Sequence, residues 1–92
     1  MRTIEWTSAF KRDYKKALMN PRHRDLTPLL EIIGNTLASD GTLAERYRDH
    51  GLTGEYTKHR ECHVKPDLLL IYKKPDERTV RFVRLGSHSE LF

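Results

Sequence analysis

Three apolar-rich segments, Tyr56 to Val64, Asp67 to Lys73 and Thr79 to Leu85, are divided only by Lys65-Pro66 and by Lys74-Pro75-Asp76-Glu77. Connections this short hold no crossover helix, so the segments pair as an antiparallel meander. Its apolar face needs a cover, and the first 38 residues supply one. Residues 2 to 6 alternate polar and apolar, with Ile4 and Trp6 on one side, which predicts a short half-buried strand. Thr7 or Ser8 then caps a helix in which Phe10, Tyr14, Ala17 and Leu18 recur at helical spacing, and Asn20-Pro21 ends it. A second helix begins between Asp25 and Pro28, with Leu26, Leu30, Ile33 and Leu37 as its stripe; Gly34 weakens it slightly.

The span from Ser39 to Gly54 reads as a long loop with at most one helical turn, and Ser87-His88-Ser89-Glu90 has the form of a capping box. The expected architecture is α+β: an N-terminal strand and two helices packed on one face of a small antiparallel sheet, the other face partly open. With 92 residues, the chain has room for one core, so residues 1–92 are expected to form a single domain. The longest apolar stretch, Leu68 to Tyr72, is far below the roughly 20 residues a bilayer helix requires. The start Met1-Arg2-Thr3 has no signal-peptide apolar region, and a lone cysteine, Cys62, fits a reducing compartment, so the expected location is the cytoplasm.

Of the net charge of +4, all is carried by residues 1 to 25, where seven Lys/Arg face three acids. Lys11, Arg12, Lys15 and Lys16 share the outer face of the first helix, with Arg22 and Arg24 just after. Such a face is either simply solvated or a surface for polyanion phosphates.

The sequence holds five histidines, four of them in its second half. On the first meander strand, alternation places Cys62 and Val64 toward the core and His59, Glu61 and His63 on the opposite face. Asp67 follows His63 across a tight turn, Arg84 comes back on the third strand, His88 lies just beyond, and His50 arrives from the loop. His63, Asp67, Arg84 and His88 are thus expected to gather at one sheet edge. Imidazoles near neutrality suit both proton transfers of RNA cleavage by its own 2′-hydroxyl, and a guanidinium fork suits the phosphate. This chemistry calls for no cofactor and no metal. A zinc site on His59, Cys62 and His63 is disfavoured, because the histidines would stand about 13 Å apart with Cys62 facing away. His23 and His59 are read as ordinary surface or hydrogen-bonded residues, and Arg84 and Asp67 stand equally well as an ion-pair partner and a turn residue. A bare RNA-binding sheet would need exposed aromatics, and Tyr72 and Phe82 read as core.

Four stretches in order carry a family resemblance: Tyr47-Arg48-Asp49-His50 with Leu52 and Gly54, then Arg60-Glu61-Cys62-His63-Val64-Lys65-Pro66-Asp67, then Leu70-Ile71-Tyr72-Lys73, and Arg81 through Phe92. With them the chain resembles the YafQ branch of the RelE/ParE superfamily of bacterial toxins over nearly its whole length. The resemblance implies a RelE-like fold and a ribosome-dependent mRNA interferase, silenced by a cognate antitoxin in a hetero-oligomer and monomeric when free. It implies catalytic roles for His50, His63, Asp67 and His88, phosphate binding by Arg84 and substrate binding by Phe92, to which Lys65 is added as a neighbour. Leu68 stands where the family often has Trp, which leaves base stacking at that position without a ring. The basic residues Lys11, Arg12, Lys15, Lys16, Arg22 and Arg24 would then meet ribosomal RNA. The competing reading is a ParE-like toxin or binding module that acts on a protein target without cutting RNA.

Overall fold

The computed structural model describes residues 1–92. Strand β1 (Thr3–Trp6) leads into α1 (Ser8–Leu18) and α2 (Leu26–Ala38). A short β2 (His50–Gly51) precedes the meander β3 (Arg60–Lys65), β4 (Leu68–Asp76) and β5 (Thr79–Gly86), and one helical turn, α3 (His88–Leu91), closes the chain. The five strands lie in the order β1-β5-β4-β3-β2.

The α+β expectation holds, with two corrections to the sheet. It is not wholly antiparallel: β1 runs parallel to β5, Ile4 opposite Val80 and Trp6 opposite Phe82. The two intervening helices give the chain length to return in that sense, which a hairpin cannot. Residues 39 to 54 are also not merely loop, because His50 and Gly51 pair with Glu61 and Arg60 as an edge strand. Two boundaries move as well. Tyr56 lies in a 3₁₀ turn (Gly54–Tyr56) rather than in β3, and β4 runs on through Pro75, which an exposed, irregularly paired strand end tolerates.

Local chemistry explains the helices. The Thr7 side chain caps α1 by accepting from Phe10 N at 3.0 Å. Leu26, Leu30, Ile33 and Leu37 are all buried, as their spacing predicts, whereas Leu18 at the last turn of α1 is exposed. Gly34 has a packing reason: a Cβ there would stand 2.8 Å from Ile4 Cδ1, so glycine lets α2 lie against β1. One core of 15 buried residues joins Phe10 and the α2 stripe to Cys62, Val64, Leu70, Tyr72, Val80 and Phe82. Tyr72 and Phe82 are thus core.

Candidate functional site

The opposite face of the sheet carries the titratable groups, and strand register fixes their places. His50 on β2 is opposite Glu61 on β3, Glu61 opposite Ile71 on β4, and Ile71 opposite Arg84 on β5. The neighbouring row runs His63, Leu69, Gly86. Leu69 and Ile71 therefore form a buried apolar floor between His63 and Glu61 on one side and Arg84 on the other. Strands two apart in a sheet are separated by about 10 Å, so an arginine and an imidazole can reach one phosphate from opposite sides of that floor.

Glu61 is the centre of the group. It is only 5% exposed, and its Oε1 faces His63 Nε2 at 3.6 Å and His50 Nε2 at 3.9 Å. Each imidazole is turned by its other nitrogen. His50 Nδ1 meets the carbonyl of Arg48 at 2.7 Å, and His63 Nδ1 that of Pro66 at 3.3 Å. Each Nδ1 thus meets an acceptor, and both Nε2 atoms lie toward the same carboxylate. The loop that presents His50 is itself anchored: Asp49 accepts from Tyr72 Oη at 2.6 Å and from Arg60 Nε at 3.2 Å. Burial and that hydrogen bond push the Tyr72 phenol up, so it remains a donor.

Arg84 is held from the helix side. Its Nε and Nη2 donate to Asp13 at 2.7 and 3.3 Å, and Asp13 also accepts the Leu85 backbone N–H. This pairing, with the nearby Tyr56 hydroxyl adding to it, raises the Arg84 pKa, so its charge is permanent. Two of its five N–H donors face Asp13, which leaves the others for a phosphate. The expected capping box is formed: Ser87 Oγ accepts from Glu90 N, and Glu90 Oε1 accepts from Ser87 N at 2.8 Å. That turn presents His88, whose ring lies 5.1 Å from Phe92; Phe92 packs edge-on against Tyr56, and Tyr56 against His59.

The structure thus brings His50, His63, Arg84, His88 and Phe92 to one face of the sheet. Asp67 lies exposed in the β3–β4 turn, directly after Pro66, whose carbonyl meets His63 Nδ1, and its carboxylate makes no hydrogen bond or ion pair within the chain. Lys65 lines the same cleft as His63, with its ammonium tied to Asp25 at 2.8 Å and to the Arg22 carbonyl. Lys11, Arg12 and Lys15 are exposed on α1, while Lys16 pairs with Glu90 at 3.1 Å. Sequence reasoning gave no role to Glu61, Asp13 or Tyr56. Only Glu61 had a signal, its place on His63's face of the strand. Cys62 faces the core, where burial pushes its thiol up and keeps it inert.

A sheet with a histidine–carboxylate cluster and a fixed arginine on one face defines a protein equipped for acid–base chemistry at a phosphate. Several solved structures similar to this chain are toxins. A metal-bound toxin from Helicobacter pylori is 48% identical with a TM-score of 0.86, each chain covered in full. The toxin in an E. coli DinJ-YafQ complex is 36% identical with a TM-score of 0.83, over 100% of this chain and 99% of that one. The mRNA interferase toxin YafQ of E. coli K12 is 36% identical over 91 residues, 99% of this chain and 96% of that protein. The family model described as "Bacterial toxin of type II toxin-antitoxin system, YafQ" matches residues 2–92, and the chain belongs to that family. The metal is a property of the H. pylori protein. In this chain no three His, Cys, Asp or Glu side chains are grouped to hold one ion.

Proposed function

We propose that residues 1–92 act as one toxin domain that cleaves mRNA on translating ribosomes in the cytoplasm, and that a cognate antitoxin silences it by forming a hetero-oligomer. The observation that carries the chemistry is the pair of imidazoles aimed at one buried carboxylate. In the reaction, His63 or His50 Nε2 takes the proton of the 2′-hydroxyl, with Glu61 facing the imidazolium that forms. The 2′ oxygen bonds to phosphorus, the bond to the 5′ oxygen breaks, and His88 supplies the proton that the leaving oxygen needs. The products are a 2′,3′-cyclic phosphate and a 5′-hydroxyl. Arg84 faces the charge that builds on the phosphoryl oxygens. Phe92, beside His88 and Tyr56, offers a ring for the adjoining base.

The ribosome supplies what a small open face lacks, a fixed path for the RNA strand. Lys11, Arg12, Lys15, Arg22 and Arg24 are exposed to meet ribosomal RNA. No helix is long and apolar enough to cross a membrane. Single-turnover cleavage of ribosome-bound mRNA tests the reading. His63→Ala should lower the rate on the order of a hundredfold or more, and a 2′-deoxy nucleotide at the cleaved position should abolish cleavage. Unimpaired cleavage at that deoxy position removes the 2′-hydroxyl mechanism, and equal rates with and without ribosomes remove the ribosome requirement.

A further inference from the structure

Two clefts flank the catalytic face, and their charges differ. The one on the Arg84 side, about 440 Å³, contains Asp13 and Glu90 as well as Lys16 and Arg84, so its acids and bases cancel. The one on the His63 side, about 590 Å³, is lined by Arg46, Tyr47, Arg48, His63 and Lys65 among others, with no acid. Lys65 is neutralised by Asp25, but neither Arg46 nor Arg48 makes an ion pair. Arg46 is steadied by the Tyr47 side chain, its guanidinium carbon 4.9 Å from the ring centroid and its Nη2 3.1 Å from the hydroxyl. Arg48 occupies the left-handed region at φ 47° and ψ 46°, and its carbonyl is the one that orients His50.

Two unpaired guanidiniums in a cleft that opens beside His63 form a site for a polyanion, and a single RNA strand already positioned at His63 presents one. We propose that the Arg46–Arg48 cleft binds backbone phosphates of the substrate strand on one side of the cleaved bond, so that the strand leaves the catalytic face there and not through the charge-balanced cleft. The inference rests on the nuclease reading above. It also assigns the turn at residues 46–48 two linked tasks, since the backbone that aims His50 carries the side chain that holds the strand.

The test is single-turnover cleavage of ribosome-bound mRNA in which one phosphodiester at a time, on either side of the cleaved bond, is replaced by an uncharged methylphosphonate. It compares the parent with Arg46→Gln/Arg48→Asn, asparagine being chosen because it tolerates the left-handed conformation. In the parent, neutral linkages on one side alone should slow cleavage at limiting RNA by about tenfold, the effect of losing one charge-assisted contact. In the double variant that penalty should vanish, and Arg46→Lys/Arg48→Lys should restore it because charge, not shape, is what the phosphates read. A penalty of equal size in parent and double variant overturns the proposal, as does a parent indifferent to neutral linkages on both sides. Loss of ribosome binding with the penalty intact also overturns it, and moves the two arginines to ribosomal RNA. A parent that leaves the unmodified mRNA whole overturns this inference and the nuclease reading together, whereas cleavage with an unchanged penalty overturns this one alone.

Discussion

The two faces of strands β3 and β4 both carry buried side chains, but to different ends. On the helix side Cys62, Leu70 and Tyr72 enter one apolar core beneath Phe10 and the α2 stripe. On the other side Leu69 and Ile71 are just as inaccessible, yet their neighbours across the ladder are His63, Glu61 and Arg84. The first face exchanges water for packing, and each of its residues contributes through area. The second sets exposed and half-buried polar groups around an apolar floor, and the low-dielectric surroundings strengthen the electrostatics at the one that is buried, Glu61. Stability and chemistry are thereby divided between the two sides of a single strand, and substitutions should report which side they touch.

The largest effect expected is on the core side. Phe82→Ala empties a site packed against Phe10, whose ring centroid is 5.3 Å away, and should cost about 3–5 kcal/mol in urea unfolding, with activity lost as the fold is lost. Glu61→Gln lies on the opposite face of the sheet, on β3, and should behave differently. Cleavage should fall on the order of a hundredfold while unfolding stability stays within about 1 kcal/mol, because the amide matches the carboxylate in shape. A destabilisation comparable to Phe82→Ala would make Glu61 a structural group and end the division between faces.

That division was only half legible in the sequence. Helical periodicity placed Leu26, Leu30, Ile33 and Leu37 in the core, and the short Pro-containing turns gave the meander, since both signals are local. Alternation put Glu61 beside His63 but could not show a third strand crossing to place His50 opposite it, because pairing between distant segments leaves no local trace. The parallel seat of β1 was hidden for the same reason. Arg84 was found by its type, but its partner Asp13 lies 71 residues away on α1, and pairing at that distance leaves no local trace. The tie of Lys65 to Asp25, 40 residues away, was hidden for the same reason.

Asp13 supplies the third and smaller effect. In Asp13→Asn one neutral oxygen remains for the Leu85 N–H, while Arg84 loses its charged partner and is free to swing. Arg84 should then meet phosphate with poorer geometry, lowering cleavage by about tenfold with little change in melting temperature. Measured as separate kcat and KM values, a positioning role appears mainly in kcat. A defect confined to KM would instead assign Asp13 to strand binding.

The smallest effect is expected at α3, the element that carries His88 over the catalytic face. Its start is secured by Glu90, which accepts from the Ser87 backbone N–H and pairs with Lys16. Those contacts, the Ser87 N–H first and Lys16 after it, pull the Glu90 pKa down to about 2. A folded-state pKa below the ordinary value means that the carboxylate stabilises the docked turn fully above the usual carboxylate range, about pH 4.3. The contribution fades as pH falls from there toward 2, where Glu90 becomes protonated in the docked state as well. The contact of His88 with Phe92 should therefore loosen over that interval, visible as fading NMR cross-peaks between the Phe92 and Tyr56 rings. Glu90→Gln should show weaker docking at neutral pH and a flatter profile, because nothing at that position titrates. Lys16→Ala keeps the carboxylate but removes one of the groups lowering its pKa, so its profile should move to higher pH. Identical profiles for the parent and Glu90→Gln would mean that packing of Phe92 and Leu91, and not the capping carboxylate, holds His88 in place.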